Sequence, residues 1–91
     1  MRKKSIIMQD PERCYICGSY RNIETHHIFG AANRKLSDTD GLTVSLCQSC
    51  HRVVHSDKDM MQYVHEIGQT AWEREYGDRE KFRARYGRSY I

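Results

Sequence analysis

Two short cysteine pairs, Cys14-x-x-Cys17 and Cys47-x-x-Cys50, restrict this chain more than any other feature of its sequence. The spacing within each pair is too tight for a relaxed disulfide. It does suit a turn that offers two thiolates to one ion, and two such turns complete a tetrahedral Zn2+ site. A chain of 91 residues needs that help. Only 38% of its residues are hydrophobic and its mean hydropathy is -0.82, so burial alone supports one domain with a thin core. Metal-binding thiolates persist where conditions are reducing, which makes the cytoplasm the expected location. The stretch from Met1 to Met8 clusters only Ile6, Ile7 and Met8 as apolar residues and does not read as a secretory signal. No run approaches the roughly 20 apolar residues of a membrane helix.

The chain divides into three parts. Residues 1–11 have no periodicity and end in Asp10-Pro11, so a flexible lead is expected there. Residues 12–57 should form the zinc-stapled core. Within it, Asn22 to Ile28 and Leu42 to Leu46 alternate or are β-branched enough for two antiparallel strands. Between these, Gly30 to Lys35 and Ser37 to Gly41 read as a long loop, a kind of segment that is usually functional in a small domain. From Cys47 to about Asp57 a helix is expected. Residues 58–91 should be a helical extension packed on the core. Its first helix, Lys58 to Tyr76, carries an apolar stripe of Met60, Met61, Val64, Ile67, Ala71, Trp72 and Tyr76. Its second is capped by Asp78, stopped by Gly87, and buries Phe82 and Tyr86 while Arg79, Arg83 and Arg85 face outward. The fold class is therefore α+β: a β-β-α hairpin with a four-cysteine site, followed by C-terminal helices.

Potential metal ligands exceed what one zinc needs, because His26, His27, His51 and His55 accompany the four cysteines. Cys50 and His51 are adjacent, which disfavours a mixed cysteine and histidine site and leaves the four imidazoles over. His51 and His55 are spaced i, i+4, so a helix presents both on one face. His26 and His27 are consecutive, and on a strand neighbouring side chains point to opposite sides, so the two should do different work. One can join His51 and His55 around a second metal while the other stays free to accept a proton. Phosphodiester hydrolysis requires that combination of a cation and a base that titrates near neutrality.

The run Cys14-x-x-Cys17, Glu24-Thr25-His26-His27-Ile28, then Leu46-Cys47-x-x-Cys50-His51-x-x-x-His55 resembles the HNH endonucleases, whose site is a β-β-α-metal hairpin. The resemblance spans roughly residues 12–57. It implies His26, His51 and His55 as ligands of a catalytic divalent cation (Mg2+, Mn2+, Ni2+ or Zn2+), His27 as general base, and DNA as substrate. It also suggests a phage or mobile-element setting and a possible larger nuclease assembly. The family's central Asn, which shapes the base-bearing loop, would fall near Gly41 or Leu42. Asn33 is the candidate substitute, unless backbone contacts hold the loop, and Arg34 is a candidate phosphate or transition-state clamp.

Net charge is +3, from 15 Lys and Arg against 12 Asp and Glu. Arg2, Lys3 and Lys4 open the chain, and Arg79, Lys81, Arg83, Arg85 and Arg88 crowd its last quarter, clusters that suit a polyanion or an ordinary solvated face. Two other readings compete with the nuclease: a non-catalytic, zinc-stabilised nucleic-acid-binding module, and a zinc-stapled protein-interaction adaptor that would have no use for clustered imidazoles.

Overall fold

A computed structural model of the chain describes residues 4–91. The basic residues Arg2 and Lys3 lie outside this range. The fold is α+β, as the sequence implies. Strand β1 (Ile23–His27) pairs antiparallel with β2 (Thr43–Cys47), in a register that sets Ile23 opposite Cys47 and His27 opposite Thr43. Helix α2 (Gln48–Ser56) starts directly from β2, with no linker, because Cys47 is at once the last strand residue and the helix N-cap, its sulfur accepting the Cys50 N–H. Helices α3 (Lys58–Glu75) and α4 (Arg79–Tyr86) follow. The Asp78 side chain caps α4 by accepting the Lys81 N–H, and Gly87 closes it in the left-handed conformation. Among the described residues, no helix is long and apolar enough to cross a membrane.

Two segments differ from the sequence expectation. The long connection between the strands contains a 3-10 turn (Ala31–Asn33) and a helix, α1 (Arg34–Asp40). Only Leu36 in α1 is a large apolar residue, so no periodicity announces the helix; long-range bonds hold it instead. The buried Ser37 hydroxyl accepts the Phe29 N–H at 3.0 Å and donates to the Phe29 carbonyl at 2.9 Å. Gly41 ends α1 with φ +76, and a Cβ there would stand 2.7 Å from the Lys4 carbonyl oxygen, so no side chain fits.

The second difference is at the N-terminus. Residues 5–11 are not free, because β2 has an open edge whose backbone groups need partners. Ile6 N–H donates to Gly41 O, Ser5 Oγ to Thr43 O, Ser45 N–H to the Met8 sulfur and Ser45 Oγ to Pro11 O. Ile6, Ile7 and Met8 then pack on the core.

One hydrophobic cluster joins all parts of the chain. Ile28, Phe29, Leu42, Val44 and Leu46 from the hairpin meet Val54 of α2, Val64, Ala71 and Trp72 of α3, and Phe82 and Tyr86 of α4. Tyr76 is 39% exposed, yet its hydroxyl donates to the Asp40 carbonyl. The expected outward position of Arg85 is corrected: its guanidinium makes two bonds, 2.6 and 2.7 Å, to the buried carboxylate of Asp40. The same carboxylate also accepts from Trp72 Nε1 and Tyr86 Oη. Four donors on one buried carboxylate explain why α1, α3 and α4 converge there.

Candidate functional site

The two cysteine turns come together. Cys14, Cys17, Cys47 and Cys50 are free thiols whose sulfurs all lie within 4.8 Å of one another. The first turn is closed by Gly18 N–H to Cys14 O, with Gly18 at φ +81, and is tied to β2 by Tyr15 N–H to Ser45 O. Cys17 Sγ and Cys47 Sγ are 3.7 Å apart. The edge of a tetrahedron with ~2.3 Å zinc–sulfur bonds is ~3.8 Å, so the spacing fits a structural metal site and is far beyond disulfide length. The backbone supports thiolate character: although burial opposes it, amide groups of Cys17, Cys47 and Ile16 bring the Cys14 pKa down to about 6. Burial and sulfur-to-sulfur bonds from Cys47, Cys14 and Cys17 push the Cys50 thiol up. The two shifts run in opposite directions, and a divalent cation bound here would favour the thiolate form of both.

A second group lies on the same hairpin. His26 of β1 and His51 and His55 of α2 offer ring nitrogens within 4.8 Å of one another. The ring centroids are 5.1 Å apart for His26 and His51, 5.3 Å for His26 and His55, and 4.9 Å for His51 and His55. His26 is 3% exposed, and its Nε2 is the buried side-chain atom without a hydrogen-bond partner among the described residues. A buried imidazole nitrogen with no partner is costly unless something binds it. Burial, followed by the neighbouring His51 and His55, lowers the His26 pKa to about 4, so the ring is neutral and its lone pair available. The donor set therefore fits a metal bound by three imidazoles, the ligand count that leaves a coordination position open.

Glu24 supports this group. Its Oε1 is 2.7 Å from His51 Nδ1, which fixes the ring so that Nε2 is the nitrogen left for a metal. Strand alternation puts Glu24 on the same face of β1 as His26, a signal already present in the sequence.

His27 lies apart from that group, as alternation requires. It turns from α2 toward α1, where its Nε2 lies 3.0 Å from Asp38 Oδ1. It borders a shallow cavity with Ala31, Ala32, Arg34, Lys35 and Asp38. Arg34 is exposed on that rim. Asn33 is not brought to the imidazoles: its Nδ2 donates to the Tyr86 carbonyl at 3.1 Å and braces the loop against α4. The segment after His27 is held by Ser37 through Phe29, and by Ile28 N–H to Leu42 O and Leu42 N–H to Ser37 O. Those bonds shape the loop where an Asn near Gly41 or Leu42 would be expected.

Comparisons with protein-family models, with curated proteins and with solved structures find no match for this chain.

Proposed function

We propose that this chain is an HNH-type, metal-dependent endonuclease that nicks or cleaves DNA by hydrolysing phosphodiester bonds. The observation that carries the reading is the convergence of three imidazoles around the unpartnered Nε2 of His26, with the very next residue, His27, turned aside and held by a carboxylate. His26, His51 and His55 would hold a divalent cation, whether Mg2+, Mn2+, Ni2+ or Zn2+, which when bound would supply charge stabilisation for the scissile phosphate and its departing 3' oxygen. Asp38 accepts the Nε2 proton of His27, so Nδ1 is the basic nitrogen and takes a proton from the attacking water. The carboxylate then offsets the charge of the imidazolium that forms, the role an acidic partner has in hydrolytic triads. Arg34 and Lys35 on the rim draw the phosphate in. The four cysteines would hold a structural Zn2+ that would keep β2 and α2 in fixed relation, and a reducing cytoplasm, in a phage or mobile-element setting, is where such thiolates would endure. So small a hairpin reaches few base edges, which implies weak intrinsic sequence preference and leaves selectivity to any larger assembly.

A non-catalytic nucleic-acid-binding module is the second reading, favoured by the lack of an Asn near Gly41 or Leu42, where the resemblance expects one, and by the basic C-terminal residues. Supercoiled plasmid incubated with the protein and each of the four cations, alongside His27→Ala, separates the two. Nicking that disappears in the variant while both metals are retained supports the enzyme. Equal background from both proteins leaves only the binding module.

A further inference from the structure

Most of the basic residues that crowd the end of the chain are already committed. Arg79 pairs with Glu73, Arg83 with Glu80 and Arg85 with Asp40. Arg88 differs. Among the described residues it is in no ion pair and spends no N–H on a hydrogen bond, and its guanidinium carbon lies 4.7 Å from the centroid of the Tyr90 ring. Such stacking holds the charge in place while leaving its donors free.

Arg88 borders a cavity of about 400 Å³ whose walls include His55, Lys58, Met61, His65 and Tyr90. The walls are ordered by packing: His65 stacks on Phe29 at 5.2 Å and meets Tyr90 at 4.5 Å. Burial, then the charge of Arg88, lowers the His65 pKa, so the ring stays neutral. One acidic residue, Asp57, also borders the cavity, but its Oδ1 is occupied as the N-cap of α3, accepting from Asp59 and Met60. Arg88 and Lys58 outnumber that one carboxylate, so the lining is net cationic, and the cavity shares His55 with the imidazole group. On the other side, the cavity of Arg34 and Lys35 shares His27. Basic rims thus flank the candidate centre in two directions.

The geometry points to a second phosphate subsite in the Arg88 cavity, where Arg88 and Lys58 hold a backbone phosphate of the DNA strand next to, but not at, the bond that is cut. This rests on the nuclease reading. Arg88 and Lys58 are positioning residues: they fix the register of the strand across the imidazoles and take no part in bond breaking.

The test measures binding in the His27→Ala background, where the DNA stays intact. A fluorescein-labelled duplex is titrated by anisotropy at salt concentrations from about 50 to 200 mM, with Arg88→Gln, Arg88→Lys and, as a control on α4, Arg83→Gln. Arg88→Gln should weaken binding about fivefold, as for one exposed charge pair, and make the salt dependence shallower by about one. Arg88→Lys should restore the slope, and Arg83→Gln should change neither. Melting temperatures should match throughout, since Arg88 is exposed. If Arg88→Gln binds with unchanged affinity and slope while the parent protein binds and the unmutated one nicks, the subsite alone is overturned. If no variant or parent binds DNA, the subsite falls together with the nuclease reading.

Discussion

Gly68 in α3 faces the strand end that carries His26 and His27. A Cβ at this position would lie 2.3 Å from Ile28 Cγ2, 3.2 Å from Ile28 Cβ and 3.3 Å from Phe29 Cε2. Carbon atoms in good contact are ~3.5–4.0 Å apart, so Gly68→Ala requires about 1 Å of movement. Ile28 and Phe29 are 1% and 2% exposed, which leaves no open space to move into. Two effects oppose each other. Replacing a mid-helix glycine by alanine gains ~1 kcal/mol in helix propensity. Overpacking costs ~1–3 kcal/mol, and a contact this short belongs near the top of that range. The net loss is ~2 kcal/mol, or a fall in Tm of roughly 8–16 °C for a domain of this size. Thermal denaturation followed by circular dichroism measures it, with Ile28→Ala as the second arm of a cycle. Ile28→Ala alone costs ~2–5 kcal/mol, but it removes the obstructing methyl. In that background Gly68→Ala should be neutral or stabilising by up to ~1 kcal/mol. Additive effects of the two substitutions would refute the packing argument.

Three other outcomes follow from the same geometry. Glu24→Gln weakens the orienting bond to His51 Nδ1 and should lower the affinity of the imidazole group for Co2+ or Zn2+ by roughly 10–100-fold, measured by calorimetry with the cysteine site loaded; unchanged affinity rules out that role. Asp40→Asn removes the carboxylate shared by Arg85, Trp72 and Tyr86 and should cost ~2 kcal/mol in denaturant unfolding, the figure for a buried pair discounted because the Arg85 side chain is 36% exposed; a loss under ~0.5 kcal/mol would contradict it. His26, buried and held near a pKa of about 4, and His65, half-buried and also lowered, are neutral in the folded chain, whereas the unfolded chain takes up these protons near pH ~6.5. With the imidazole group metal-free, stability should be full above that pH and decline as pH falls toward 4, and a Tm that rises on acidification would reverse the sign.

What the sequence reveals here follows from distance along the chain. The cysteine turns, the His51 and His55 pair, and the Asp78 and Gly87 caps of α4 are local patterns, and each element forms where the pattern places it. The opposite assignments of His26 and His27 rest on strand alternation, another local rule. Helix α1 is different. Its anchors join Ser37 to Phe29, and Asp40 to Trp72, Arg85 and Tyr86 on helices far along the chain, so nothing within Arg34–Asp40 signals them. Asp38 was hidden for the same reason: it becomes the partner of His27 only once α1 exists. In the N-terminal segment Ile6, Ile7 and Met8 are too few to suggest an element; they become an edge cover only when β2 is in place.

Cys47 ends a strand, starts a helix and contributes a sulfur to the cysteine group, so three functions meet in one residue. With no hinge between β2 and α2, the angle at which His51 and His55 face His26 is a property of that single corner. Whatever displaces that corner would therefore reach the imidazoles as well, because α2 begins there and carries two of them.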